Sequence, residues 1–342
     1  MGQDETLPQP DPVALRVCIV GAGAVGCVLA ARLARAGCDV SMVARGDTLR
    51  AIQERGLRLI DRKGEFSYDI PVTDNAADLG TQDHVIVATK AHTIAAALGA
   101  VTPLLGTDTA VASAVNGIPW WYFHKLDGNY PSPHLDSVDP GGTVWKAIGP
   151  ERALGCVVYI AAAMREPGTV YHSFGIQFVL GEPNNTTSPR VTALSEALIA
   201  GGLHAPISND IRAAVWAKLW GNLNANPVSA LTSASIGEML DDPVIREILI
   251  DIAREGFEVA TAMGVPLEGD PAARVKEMDG LGAFRTSMLQ DMDAGKAIEL
   301  DPIVGSVAEL GRLVGVATPT IDTIYALTRK RAALEGKYIS PT

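Results

Sequence analysis

One six-residue stretch limits what this chain can fold into. Gly21-Ala-Gly-Ala-Val-Gly26 is a G-x-G-x-x-G set between a short apolar run, Arg16–Val20, and a stretch of helical composition, Cys27–Ala36, which Gly37 closes. A short uninterrupted apolar run reads as a strand buried on both faces, the kind found in parallel sheets. Following a strand and opening a helix, the glycines divide three tasks. The first permits a tight turn, the second lets backbone approach a pyrophosphate, and the third lets helix and strand pack closely. The helix start then offers unpaired N–H donors and a positive dipole end to phosphate. Gly21, Gly23, Ala24, Val25 and Gly26 are therefore candidate dinucleotide-binding residues.

The same texture continues. Asp39–Val43, His84–Ala88 and Ala110–Ala114 are further apolar runs separated by helical stretches, and Leu57–Ile70 alternates around Gly64 as a hairpin would. Leu154–Ala163, Thr169–His172 and Ile176–Leu180 read as later strands. Strands alternating with helices indicate a parallel α/β sheet. After about residue 189 strand signals stop, and helical patterns cover 190–202, 209–235, 243–263, 285–295, 301–315 and 319–336, several opening at a proline. The expected fold class is α/β: an N-terminal Rossmann-type dinucleotide-binding domain at 15–208 and a C-terminal all-helical domain at 209–342, after a flexible tail at 1–14. Residues 116–155 are the least regular. Their four consecutive aromatics, Trp120–Phe123, argue against disorder and would either patch a groove of the first domain or line a substrate cleft.

Composition narrows the function. With 28 Lys plus Arg against 39 Asp plus Glu, a net charge of −11, and no basic cluster, the chain is a poor nucleic-acid binder. Cys18, Cys27, Cys38 and Cys156 form no C-x-x-C pair and no Cys/His ligand spacing, so free thiols and no metal site are expected. No long uncharged apolar stretch and no signal-peptide pattern appear, so a cytoplasmic protein without membrane association is expected. A homodimer is compatible with the sequence, which carries no direct signal for it.

Candidate site residues follow the strand ends, where open α/β sheets bind ligands. Arg45 stands after the second strand, where an NAD site usually has an acid about 20 residues past the glycines. A guanidinium suits a 2′-phosphate instead, so NADP(H) is the expected cofactor unless Arg45 is simply a solvated strand-end residue. Lys90 could reach adenosine phosphate or ribose, or lie on the surface. Asn116 could position nicotinamide or substrate, or merely start the Asn-Gly turn. Further on, Lys218, Asn222 and Asn226 are spaced by four and share a helix face. Asn is a poor helix former, and solvated helix faces favour Glu, Lys, Gln and Arg, so these amides suggest a bound ligand. Pro227 predicts a kink or break in that helix. Taken alone, Ser287 and Glu299 are undistinguished.

Together these motifs resemble the ketopantoate reductase (2-dehydropantoate 2-reductase) family over about residues 15–335. The resemblance rests on Gly21-x-Gly-x-x-Gly26, Arg45, Lys90, Asn116-Gly117, Lys218-x-x-x-Asn222-x-x-x-Asn226-Pro227, Ser287-Met-Leu-Gln-Asp291 and Glu299. It implies NADPH-dependent reduction of a 2-oxo acid, 2-dehydropantoate, in the route to pantothenate. It implies Lys218 as general acid, and Glu299 as the residue that holds the substrate hydroxyl and helps orient Lys218. It implies Ser287 at the substrate carboxylate, Asn222 and Asn226 around substrate or Lys218, and Asn116 near nicotinamide and the reacting carbonyl. Phe284, where many members carry a substrate-binding Asn, and the long aromatic segment point to a bulkier 2-oxo acid as the alternative substrate. A non-catalytic NADP-binding sensor is the alternative outside enzymes, and it would be expected to lack Lys218 or Glu299.

Overall fold

The computed structural model describes residues 15–128, 130 and 132–340; the expected tail at 1–14 lies outside them. The strands are β1 (Arg16–Val20), β2 (Asp39–Val43), β3 (Leu57–Asp61), β4 (Gly64–Tyr68), β5 (Val72–Thr73), β6 (His84–Val87), β7 (Ala110–Ser113), β8 (Ala153–Glu166) and β9 (Thr169–Gly181). The helices are α1 (Ala24–Arg35), α2 (Gly46–Arg55), α3 (Leu98–Val101), α4 (Thr143–Ile148), α5 (Pro189–Ala200), α6 (Ile211–Thr232), α7 (Ile236–Asp241), α8 (Pro243–Ala262), α9 (Pro271–Lys276), α10 (Ser287–Asp293), α11 (Ser306–Val314) and α12 (Pro319–Leu334).

The chain divides into two compact units, and the division is not the single cut near Ser208 that the change of texture suggests. The first unit holds residues through Thr89, Thr93–Val115 and Lys146–Ile211; the second holds Lys90–His92, Asn116–Trp145 and Arg212–Thr342. Two pieces lying early in the sequence therefore belong with the helices. The physical reason for the larger piece is its aromatics. Tyr122 accepts a hydrogen bond from Trp216 Nε1 at 2.7 Å, and Arg212 donates to the Tyr122 carbonyl at 2.8 Å. Trp120, Trp121, Tyr122 and Phe123 are all buried. They are core of the second unit, which replaces the expectation of a patch on the first domain or a cleft lining.

The first unit is built on a nine-stranded sheet in the order β4-β3-β9-β8-β7-β6-β1-β2-β5. From β5 to β8 every neighbouring pair is parallel. From β1 the chain runs one way through β2 to β5 and the other way through β6 to β8, the doubly wound order with its switch point between β1 and β6. The expected hairpin at 57–70 is the antiparallel pair β3–β4. Three late strands were expected; the structure has two long antiparallel ones, β8 and β9, whose irregular register near Gly175, at φ +72°, absorbs the break in the pattern. In α1, Gly26 to Leu33 are buried without exception, and small residues let the helix lie close to the sheet.

The second unit is helical. Gly256 of α8 faces Leu223 of α6 so closely that a Cβ there would stand 2.6 Å from its Cδ2. Glu255 of α8 accepts from the N–H groups of Thr320 and Ile321 at 2.8 Å, satisfying donors at the start of α12 that the helix itself leaves unpaired. Arg331 of α12 binds the carbonyls of Ala230 and Leu231, the last turn of α6. Helix α6 runs through Pro227 without the break expected there, and the Pro227 carbonyl accepts from Thr328 at 3.3 Å.

Candidate active site

The glycine turn lies at the carboxyl end of β1, at the switch point of the sheet. Gly21 has φ +110°, and a Cβ on it would come within 2.8 Å of Thr89 Cγ2. A Cβ on Gly26 would meet the Gly21 carbonyl oxygen at 2.0 Å, so protein packing alone demands these two glycines. Gly23 differs. A Cβ there would meet only the Ala88 oxygen, at 3.9 Å, so nothing in the protein requires glycine at this position. Open space over a bare backbone at a helix start is the form of a pyrophosphate cradle. Helix α1 has no side-chain cap and no acid in its first turn, leaving the N–H groups of Ala24, Val25 and Gly26 without intrahelical partners. The residues present fit a dinucleotide. Arg45 follows β2 as the exposed residue preceding α2. Asp39 sits at the opposite end of β2, and Asp47 pairs with Arg50 in the first turn of α2.

In the second unit, four of the expected site residues meet in one chain of contacts. Lys218 Nζ of α6 donates to Asn116 Oδ1 at 2.7 Å, and Asn116 Nδ2 donates to Glu299 Oε2 at 3.1 Å. Glu299 Oε1 accepts from the Ala91 N–H at 2.9 Å, and Lys90 Nζ lies 3.4 Å from Oε2. Glu299 is only 5% exposed, so its charge is held by these donors and little by water. Local backbone sets this up. Gly117, at φ +87°, presses so close to Pro302 that a Cβ would overlap its carbonyl, while the Ile118 N–H bonds the same carbonyl at 2.9 Å. Pro302 lies in a π-helical turn, Asp301–Gly305, just past Glu299. The Asn-Gly turn and the Glu299 segment are thereby pinned together. Glu299 reaches Lys218 through the Asn116 amide; the contact expected between them is mediated.

Lys90 also makes its shortest ionic contact here, 2.6 Å to Asp291 Oδ2. Burial lowers its pKa, but the carboxylates of Glu299 and Asp291 outweigh that and leave it above the ordinary lysine value. Burial pulls His92, two residues on, below the usual imidazole value, with Glu299 opposing. Its Nδ1 is buried without a hydrogen-bond partner. Asp291 and His92 carry no signal of their own in the sequence beyond Asp291 standing four residues, one helical turn, after Ser287.

The remaining expected residues are open to solvent or unpaired. Ser287 begins α10, is exposed, and Thr286 rather than Ser287 caps that helix. Asn222 is half-buried, and Asn226 is buried with Nδ2 lacking a partner. Asn224, between them in sequence, is fully buried with both amide atoms unpartnered. Phe284 is 51% exposed. Among the described residues no cluster of His, Cys, Asp or Glu could hold a metal, all four cysteines are free thiols, and no helix is long and apolar enough to cross a membrane.

A switch-point dinucleotide cradle and a Lys–Asn–Glu chain define an oxidoreductase of the class that acts on CH–OH groups. The comparison with known proteins makes this specific. The model described as "Ketopantoate reductase PanE/ApbA" matches residues 17–185, and "Ketopantoate reductase PanE/ApbA C terminal" matches 210–332. A 2-dehydropantoate 2-reductase of Mesorhizobium japonicum is 44% identical, covering 95% of this chain and 100% of its own. The crystal structure of a putative ketopantoate reductase from Ralstonia solanacearum superposes with a TM-score of 0.90 at 42% identity, covering 95% of this chain and 99% of that one. D-mandelate dehydrogenase, solved with NADH and anilino(oxo)acetate, shares the fold with a TM-score of 0.79 at 21% identity, covering 94% and 99%. The chain belongs to the ketopantoate reductase family.

Proposed function

We propose that this chain reduces the C2 ketone of 2-dehydropantoate to the alcohol of pantoate, using NADPH, as a cytoplasmic step toward pantothenate. The observation that carries the reading is the Lys218–Asn116–Glu299 chain at 2.7 and 3.1 Å. The glycine turn and Arg45 would hold the dinucleotide, which when bound would be the source of the hydride. Charge then develops on the ketone oxygen and must be neutralised as it forms. Lys218 is the acid: its ammonium gives one proton to that oxygen, and the resulting amine regains a proton from solvent. Asn116 presents its amide oxygen to the ammonium and holds the proton donor in place. Glu299 fixes the amide and accepts from the product hydroxyl. Ser287, Asn222 and Asn226 keep free hydrogen-bonding capacity suited to an anionic, hydroxylated acid.

The sensor alternative loses its main support, because both Lys218 and Glu299 are present and connected. The bulkier-acid alternative now rests on Phe284 alone, since the Trp120–Phe123 segment is buried core. A panel of 2-oxo acids followed by nicotinamide absorbance decides between them. Preference for 2-dehydropantoate supports the proposal; a larger 2-oxo acid winning overturns the substrate.

Cofactor choice is a separate claim. The mandelate dehydrogenase was solved with NADH, so the shared fold does not fix the nucleotide. Arg45 supports NADPH. Hydrogen bonds to charged groups are worth about 1.5–3 kcal/mol, so Arg45→Asp should weaken NADPH by roughly tenfold to a hundredfold and narrow the gap to NADH. Equal efficiency of both in the unmutated protein would refute it. A homodimer is also proposed, supported by the exposed apolar Phe174 and Ile176 on β9. Light scattering after gel filtration tests it, and a monomer mass refutes it.

A further inference from the structure

We infer that Tyr325 and Tyr338 are positioning residues for the reduction: through Asp301 they hold the turn that carries Glu299 at a fixed span from helix α6, which carries Lys218. The inference rests on the reductase reading of the site and gives a role to three side chains that the reading does not use.

Glu299 stands in irregular chain between α10 and the π-helical turn at Asp301–Gly305, so no helix or ladder fixes its backbone. The segment after α12 holds that backbone from both sides. Before Glu299, the Ile298 N–H donates to the Lys337 carbonyl at 3.0 Å. After it, the Tyr338 hydroxyl donates to Asp301 Oδ1 at 3.2 Å, and the Tyr325 hydroxyl of α12 donates to the same oxygen. Asp301 is buried. Burial raises its pKa although both hydroxyls oppose the rise, so its charge depends on these donors. Burial and the Asp301 charge raise both phenols in turn, which keeps them protonated and donating.

Helix α12 also grips α6. Thr328, three residues after Tyr325 and therefore on the same face, donates to the Pro227 carbonyl, and Arg331 donates to the Ala230 carbonyl at 2.8 Å. The Lys337 N–H returns to the Ala332 carbonyl at 2.7 Å, which fixes the segment after α12 to the helix itself. One helix therefore meets both the element carrying Lys218 and the turn carrying Glu299. The Asn116 amide bridges those two side chains at 2.7 and 3.1 Å, near the short and long limits of a good hydrogen bond. A bridge with so little slack works only while the span is fixed. A phenylalanine ring would fill the same space as either tyrosine, so what the hydroxyls add is the hold on Asp301.

The test uses Tyr325→Phe, Tyr338→Phe and the double variant in the full chain, with folding checked by circular dichroism. An ångström of misplacement caused far from the chemistry costs on the order of a hundredfold, so the double variant should lower kcat/KM for 2-dehydropantoate by about tenfold to a hundredfold, and each single variant by less. The same two substitutions in a Glu299→Ala background, read by single-turnover kinetics with excess enzyme, should cost no more than about twofold, because residues acting through one partner are not additive. Glu255→Gln is the control: it loosens the start of the same helix without touching Asp301, so it should lower Tm and leave kcat/KM within about twofold. Unchanged activity in the double variant overturns the inference. So does an equal loss in the Glu299→Ala background, or a loss in Glu255→Gln as large as that of the double variant, since either would mean a general effect on stability.

A second readout needs no turnover. Amide hydrogen exchange reports local opening residue by residue. In the double variant the amides of Ile118 and Ile298, bonded to the Pro302 and Lys337 carbonyls, should exchange faster, while that of Ile321, held by Glu255 at the far end of α12, keeps its protection. Equal acceleration at all three, or none at Ile118 and Ile298, overturns the clamp. If the unmutated protein reduces no 2-oxo acid, the reductase reading fails, and the exchange pattern still decides whether the clamp exists.

Discussion

In the first unit, Arg32 of α1 reaches Asp61 at the end of β3 at 2.5 Å, with the two side chains 6% and 9% exposed. In the second, Lys90 reaches Asp291 at 2.6 Å while its own side chain is 39% exposed. The two contacts are nearly equal in length and differ in what surrounds them. Asp61 has both oxygens occupied, by Arg32 and by the Lys63 N–H at 2.7 Å, and lies within packed α1 and β3. The helices that carry Lys218 and Asp291 also carry polar groups with unfilled hydrogen-bonding capacity: Ser287 exposed on α10, Asn222 half-buried on α6, and Asn226 on α6 with an unpartnered amide nitrogen. A closed pair holds elements together. An open one holds groups ready for something else. The distinction is made by the unfilled hydrogen-bonding capacity nearby, and the contact distance alone does not reveal it.

The largest expected break on the open side is Lys218→Ala. General acid catalysis contributes about 10²–10⁴-fold, so kcat should fall by that order while NADPH binding, measured by titration, holds. The glycine turn proposed to hold the nucleotide belongs to the first unit and contains no residue of α6. A variant with near-normal kcat, or one whose main defect is lost NADPH, shows that Lys218 is not the acid.

On the closed side, Asp61→Asn should act on stability. Removing one partner of a buried ion pair leaves the other charge uncompensated, at a cost of about 3–5 kcal/mol. Chemical denaturation of the variant measures it, and a loss well under 1 kcal/mol would place the pair among surface contacts. The pH dependence has a definite sign. Burial raises the Asp61 pKa, but the Lys63 N–H and the Arg32 guanidinium outweigh it and hold the carboxyl below its ordinary value. A lowered folded-state pKa adds stability above the unfolded value, about 3.9, and that stability is lost as pH falls through the folded value. The wild type should lose stability more steeply than Asp61→Asn in acid, and the two should run parallel near neutrality.

The closed side was the more legible in sequence. β1 and β2 have the predicted limits of Arg16–Val20 and Asp39–Val43, because a strand buried on both faces leaves an uninterrupted apolar run. The glycine turn was legible because two of its glycines are forced by packing. The short helices α7 and α9 were not, since six residues carry too little periodicity to stand out. The aromatic segment was readable as ordered and not as core of the helical unit, because its partners Arg212 and Trp216 lie about a hundred residues away. In the open site, the residue types of Lys218, Asn222 and Asn226 showed through the helix-propensity cost. Lys90 could be placed at a strand end and no further. Its contact with Asp291 spans 201 positions, and nothing in local pattern encodes it.

The mildest expected break lies at the edge of the open cluster. Ser287 is exposed at the first position of α10, and helix capping there is done by Thr286, whose hydroxyl accepts from the Leu289 N–H at 3.2 Å. Removing the Ser287 hydroxyl should therefore leave the helix and its Asp291 contact intact, so stability should be unchanged. If the hydroxyl binds the substrate carboxylate, Ser287→Ala loses one hydrogen bond to a charged group, about 1.5–3 kcal/mol. That loss should raise KM for 2-dehydropantoate by roughly tenfold to a hundredfold. The same bond is present before and during hydride transfer, so kcat should hold. Steady-state kinetics separate the cases. A fall in kcat at constant KM would mean that Ser287 acts on the reacting centre, and no change in either would remove it from the site and leave Asn222 and Asn226 as the carboxylate's partners.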